Sequence, residues 1–91
     1  MKIYRYKAIF DYDKDGITVT FPDLPGCITC GNNEEEALKN AKECMALHLF
    51  GMEEDNDLIP EPTKIEALDK NQKVFDIEIL MSDYEKLIDR L

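Results

Sequence analysis

The sequence predicts an α+β fold, a small antiparallel meander covered by one amphipathic helix. Three observations predict it. Apolar and polar residues alternate at period two over residues 3–12, 17–21 and 74–80, the pattern of half-buried strands. Apolar residues recur at helical spacing from Ala37 to Met52, which makes one continuous stripe. Turn-forming stretches separate these blocks in the order β-β-β-α-β-α.

In "IYRYKAIFDY", residues 3–12, Tyr4, Tyr6, Ala8 and Phe10 share one face, with Arg5, Lys7 and Asp11 on the other. "DKDG" follows, and its Asp15-Gly16 pair favours the positive φ angles of a tight hairpin. In "ITVTF", residues 17–21, Ile17, Val19 and Phe21 oppose Thr18 and Thr20. "PDLPG", residues 22–26, interrupts the ladder, because neither Pro22 nor Pro25 has an amide proton to donate. "CITCG", residues 27–31, is a short third strand.

Asn33, followed three residues later by Glu36, has the pattern of a capping box, and Glu34 and Glu35 suit the positive end of a helix. The stripe Ala37, Leu38, Ala41, Cys44, Met45, His48, Leu49 and Met52 is the face that packs on the sheet. Gly51 weakens the helix near its end and marks a stop. Residues 53–72, polar and containing Pro60 and Pro62, form a long connection. A fourth strand follows at 74–80 through Phe75, Ile77 and Ile79. Ser82 with Glu85 is a second capping-box pattern, opening a short closing helix with Tyr84, Leu87, Ile88 and Leu91 on its apolar side.

Ninety-one residues imply one domain, spanning 1–91. The chain shows no run of 18 apolar residues and no secretory leader, so the expectation is a cytoplasmic protein without a membrane partner. Eleven basic and twenty acidic residues give a net charge of −9. Direct nucleic-acid binding is not expected, since that depends on cationic groups displacing counterions. A basic protein is the better-matched partner.

Two stretches invite a metal. Asp11, Asp13 and Asp15 at alternate positions before Gly16 look like the start of a calcium loop. Counted from Asp11, however, position 9 is Val19 and position 12 is Pro22, where an EF-hand needs an oxygen ligand and a bidentate glutamate. The flanks also read as strands, so the turn reading prevails. Cys27 and Cys30, with Cys44 and His48 one helical turn apart, have zinc-ligand spacing. In an extended strand Cys27 and Cys30 would point to opposite faces, and Cys44 and His48 belong to the core stripe. No metal and no cofactor are expected, with these four residues as the zinc-binding alternative. The single histidine has no sequence-adjacent triad partners, and Asp76 and Glu78 fall on the face opposite Phe75, Ile77 and Ile79. No catalytic residues and no enzymatic activity are expected.

Residues 21–41, "FPDLPGCITCGNNEEEALKNA", resemble the signature of the HicB-like antitoxins. The matching positions are Phe21, Pro22, Asp23, Leu24, Pro25, Gly26, Cys27, Thr29, Gly31 and Glu36-Ala37-Leu38, and "IPEPT" at 59–63 is similar to a segment after the helix in that family. The resemblance covers roughly residues 3–85. It implies a partial RNase H-like fold and a partner, a small basic HicA-type toxin that cleaves mRNA and whose RNA site the antitoxin masks. Many members carry a C-terminal DNA-binding module. Ending at Leu91, this chain is expected to be a short member without one, which places autorepression in doubt. Asp11, Asp13, Asp15 and Asp23 are the candidate partner contacts, on the premise that two loops at one end of the meander present them together. The motif from Phe21 to Cys27, with Gly31, is read as mainly architectural. A homodimer or larger homo-oligomer is expected, because a small sheet leaves an edge strand to cover. The alternative function is a stand-alone oligomeric regulatory or structural protein without a toxin.

Overall fold

The computed structural model describes residues 2–65 and 67–90. The chain folds as β1 (Ile3–Asp13), β2 (Gly16–Thr20), β3 (Ile28–Gly31), α1 (Glu34–Glu54) and β4 (Gln72–Leu80). A 3-10 turn (Met81–Tyr84) and a one-turn helix, α2 (Glu85–Ile88), follow. The four strands form one antiparallel sheet in the order β3-β2-β1-β4. β1 is therefore central, and β4, last in sequence, closes the sheet on the side away from the meander. This is the predicted α+β architecture.

Period-two alternation decides which face is covered. Tyr6, Ala8 and Phe10 of β1, Ile17 and Val19 of β2, and Ile77 and Ile79 of β4 are buried. They meet Ala37, Ala41, Met45, Ala46 and Leu49 of α1. Phe10 is fully buried, and its ring centre lies 4.5 Å from that of Phe75 at a tilt of 53°. Among the described residues no helix covers the opposite face. Two cross-strand ion pairs stand there, Arg5 with Glu78 and Lys7 with Asp76, each at 2.7 Å. Both pairs are largely exposed, so their net contribution to stability is small.

The hairpin differs in detail from the expectation. β1 runs to Asp13 and β2 starts at Gly16, leaving Lys14 and Asp15 as the loop. The positive φ falls on Gly16, at +139°, and not on Asp15. Asn33 caps α1 through its side-chain oxygen, which accepts the Glu36 amide at 2.8 Å. The return bond is displaced by one residue, with the Glu36 carboxylate accepting from the Asn32 amide at 3.1 Å.

Gly51 does not end α1, which continues to Glu54. The stop lies at Asn56, whose φ of 56° puts it in the left-handed region. Its amide donates to the Glu53 carbonyl while that of Asp57 donates to Met52, the paired bonds of a Schellman ending with asparagine in the usual glycine position. The second capping box also fails to form. The Met81 amide donates to the Lys2 carbonyl at 3.0 Å and so extends the β1–β4 ladder. Met81 is buried, and the chain leaves it through a 3-10 turn. α2 begins after Tyr84 with no side-chain cap.

Tyr4 and Glu53 join the start of β1 to the end of α1. The Tyr4 hydroxyl donates to the Glu53 carboxylate, which also pairs with Lys2 at 2.8 Å. Burial, then the hydrogen bond to Glu53, pushes the Tyr4 hydroxyl up to about 12. Burial and a hydrogen bond to Glu34 do the same for Tyr12, also to about 12. A tyrosine whose folded value exceeds its unfolded value of 10 favours the fold below that value and loses the contribution as pH rises through the folded one. Stability should therefore fall between pH 10 and about 12. Urea midpoints at pH 9 and 11.5 would show it, with a smaller fall in Tyr4→Phe. An equal fall in that variant would refute the assignment.

Candidate functional site

The sequence nominated four aspartates, and the meander separates them. The hairpin holding Asp13 and Asp15 lies at the start of β2, whereas Asp23 follows its end. In an antiparallel meander these are opposite ends of the sheet, so the premise of two loops presenting them together is corrected. Successive turns of a meander necessarily alternate between ends.

Each carboxylate has its own surroundings. Asp11 accepts from the Asn71 side chain at 2.8 Å and that of Gln72 at 3.2 Å, joining β1 to the entry of β4. Asp13 accepts from the Lys14 amide at 2.6 Å, a bond within the turn. Asp15 is exposed. Asp13 and Asp15 border a shallow cleft of about 340 Å³ that runs to Asn32 and Glu36 at the head of α1. Asp23 is engaged internally, where it accepts from the Thr63 amide at 2.9 Å and the Thr63 hydroxyl at 2.6 Å. The Tyr6 hydroxyl donates to the Pro60 carbonyl three residues earlier. Together they strap residues 59–63 to the corner.

That corner is built by local turn chemistry. The Leu24 amide donates to the Phe21 carbonyl at 3.0 Å and the Cys27 amide to that of Leu24 at 2.9 Å. In the second turn Pro25 precedes Gly26, whose φ is +91°, the residue order of a type II turn. Phe21, Leu24 and Cys27 all point into the core. Asp23→Ala should cost about 1–2 kcal/mol, the loss of two bonds to a charged acceptor reduced by solvent access. It should also speed hydrogen exchange at Thr63. Unchanged exchange there would show that the strap holds without Asp23.

The zinc alternative is distributed over both faces. The Cys27 and Cys44 sulfurs approach to 3.5 Å under the corner, and burial, then the contact with Cys44, pushes the Cys27 thiol up. Cys30 is exposed on β3, on the same side as Ile28. His48 lies over the corner beside Gly26. Among the described residues no three His, Cys, Asp or Glu side chains converge as metal ligands. A larger cavity of about 510 Å³ opens between the end of α1 and the C-terminal turn, walled by Lys2, Phe50, Glu53, Met81 and Ile88. No helix among the described residues is long and apolar enough to cross a membrane.

The sequence reading missed two features of this surface. The Asp23–Thr63 bond joins residues 40 apart, and no local pattern signals it. Sheet order, which leaves β4 at an edge, depends on where the long connection returns.

A family model described as "HicB_like antitoxin of bacterial toxin-antitoxin system" matches residues 6–89. The chain is 40% identical over 67 residues to Antitoxin HicB 2 of Photorhabdus laumondii subsp. laumondii, covering 72% of this chain and 48% of that protein. It is 32% identical over 80 residues to an uncharacterized 14.9 kDa protein of Haemophilus phage HP1, covering 88% of this chain and 60% of that one. The chain thus spans between about half and three-fifths of the length of these relatives. Among solved structures, one described as "HicA3 and HicB3 toxin-antitoxin complex" contains a chain matched with a TM-score of 0.58 at 29% identity, over 68% of this chain and 72% of that one. A chain of a toxin-antitoxin complex from Streptococcus pneumoniae shares the fold with a TM-score of 0.79 at 21% identity, over 91% of this chain and 73% of its own. With 6–89 matched from the first buried tyrosine of β1 to the end of α2, the chain belongs to the HicB-like antitoxin family.

Proposed function

We propose that this chain binds and neutralises a small basic, mRNA-cleaving toxin of the HicA type by masking its RNA site, without breaking bonds itself. The observation that carries the reading is the antitoxin family match over residues 6–89. The likeness to a chain of a HicA3–HicB3 complex at 29% identity supports it. In this reading the scaffold is a partial RNase H-like fold working in the cytoplasm as a homodimer or larger homo-oligomer.

Charge supplies the mechanism. A net charge of −9 on 91 residues steers a cationic partner towards the surface and favours carboxylates where RNA phosphates would otherwise lie. Asp13, the last residue of β1, and Asp15 in the following loop are the contacts best placed for this, both being exposed. Asp11 and Asp23 contribute less, because both oxygens of each are already engaged, by Asn71 and Gln72 and by Thr63, whereas Asp13 has one oxygen on the Lys14 amide.

The test is co-expression with a HicA-type toxin. Growth arrest by the toxin, relieved by this chain with recovery of a complex, is the expected result. Persistent arrest with no complex would overturn the reading. Asp13→Lys with Asp15→Lys should slow association about tenfold and flatten its salt dependence. Unchanged association kinetics would remove the hairpin from the contact.

A further inference from the structure

The outer edge of β4 carries a surface that none of the preceding functions uses. The hydrogen-bond phase of the sheet shows which of its backbone groups are open. The Met81 amide donates to Lys2 and the Tyr12 amide to Asn71, and both pairs belong to the register that sets Tyr6 opposite Ile77. In an antiparallel ladder, bonded and non-bonded pairs alternate. Lys73, Phe75, Ile77 and Ile79 therefore turn their amides and carbonyls towards β1. Val74, Asp76, Glu78 and Leu80 turn theirs outward, and among the described residues no loop bond reaches those groups, although the Leu80 carbonyl, at the N-cap of the 3-10 turn, accepts the first bond of that turn.

The side chains along this edge alternate in chemistry. Asp76 and Glu78 stand on the open face, with side chains 58% and 53% exposed. Among the described residues their ion-pair partners are Lys7 and Arg5, both on the β1 side. Phe75, Ile77 and Ile79 stand on the helix side, where Ile77 and Ile79 are buried and Phe75 is half-buried. A strand added here would place its own side chains about 4.5–5.5 Å from these residues.

A second copy of β4 is a poor occupant. The antiparallel register that uses all four outward residues is centred on Ile77 and sets Asp76 opposite Glu78 of the other copy, twice. Like charges directly opposite one another destabilise a strand pair, and charged side chains on an edge strand discourage pairing with another copy. A cationic strand would instead continue the rows that Lys7 and Arg5 begin, with each carboxylate between two cations.

We infer that the β4 edge is a docking site for an extended strand of a partner protein, carrying Lys or Arg at alternate positions beside Asp76 and Glu78 and apolar residues between them. The inference rests on the toxin-binding reading for the identity of that partner. It also implies that any self-association of the chain uses a surface other than β4.

Hydrogen exchange by NMR on the full chain tests this, with two blocked decapeptides as probes, one alternating lysine with valine and one alternating glutamate with valine. The lysine peptide should slow exchange at the Val74, Asp76, Glu78 and Leu80 amides at least tenfold, and the glutamate peptide should leave them unchanged. The double variant Asp76→Lys, Glu78→Lys should reverse that preference, while the wild-type comparison needs no variant to fold. Absence of binding, equal effects of the two peptides, protection elsewhere alone, or protection of the four amides in dilute protein without peptide would each overturn the inference. Growth rescue by co-expression is read separately. Rescue with unprotected edge amides sinks only the edge, and protection without rescue sinks only the toxin reading.

Discussion

Gly31→Ala is expected to lower the unfolding free energy by about 3 kcal/mol, the upper part of the usual range for overpacking. A Cβ at this position would lie 2.4 Å from the Ala37 amide nitrogen and 2.7 Å from its Cα. The added Cβ is fixed by its own backbone and the nearest atoms it meets are backbone, so no rotamer change relieves it. The helix cannot simply back away, because its first turn is held to the chain just after β3. Asn33 accepts the Glu36 amide, Asn32 donates to the Glu36 carboxylate, and the Ala37 amide bonds to the Asn33 carbonyl at 2.9 Å. Relief must come from tilting α1 off β3, and Ala41 and Met45, fully buried on the same face, would lose contact. A urea titration reads the effect as a lower midpoint. A change below about 1 kcal/mol would mean that the junction between β3 and α1 yields easily.

Phe10→Ala should cost about 3–5 kcal/mol, the range for removing a fully buried phenylalanine. Phe10 lies on the central strand with no exposed surface, so the vacated volume borders the sheet, α1 and the Phe75 ring together. Phe75→Ala should cost less, because Phe75 is only half-buried on an edge strand. The pair's tilted contact should appear as coupling of about 0.5–1.5 kcal/mol in a double-mutant cycle. Equal costs for the two substitutions would contradict the burial difference between central and edge strand.

Much of the fold was legible because its signals are local. The alternation through Tyr6, Ala8 and Phe10 and through Ile17 and Val19 places those residues on the buried face. The stripe from Ala37 to Leu49 does the same for α1, although Ala46, also buried, lay outside it. The errors came where a longer-range partner decided the outcome. Gly51 has weak helix propensity, yet buried Leu49 and half-buried Phe50 and Met52 carry the helix past it to the Asn56 ending. Ser82 and Glu85 spell a cap, but the bond from Met81 to Lys2 holds the chain in the ladder where the helix would have to begin.

The candidate site was less legible than the fold. Asp23 reads as an exposed loop carboxylate until Thr63 is brought beside it. Asp76 and Glu78 read as a solvated face. Their importance depends on β4 joining β1 and lying outermost, which follows from the path of the connection and not from any residue within β4. Family resemblance carried the functional reading, and composition added only the sign of the partner's charge.

The strap at residues 59–63 sets where this protein can accept extra chain. α1 ends beside the start of β1, through Lys2 and Tyr4, but β4 must begin opposite Asp11. The connection thus travels nearly the length of the central strand. Its first part is clamped to Tyr6 and Asp23, so a graft between Asp57 and Thr63 would pull those clamps out of step. Between Ala67 and Leu68 the same graft lengthens a closed loop, at about 0.6 kcal/mol for each doubling, which makes that point the natural port for a tag or reporter.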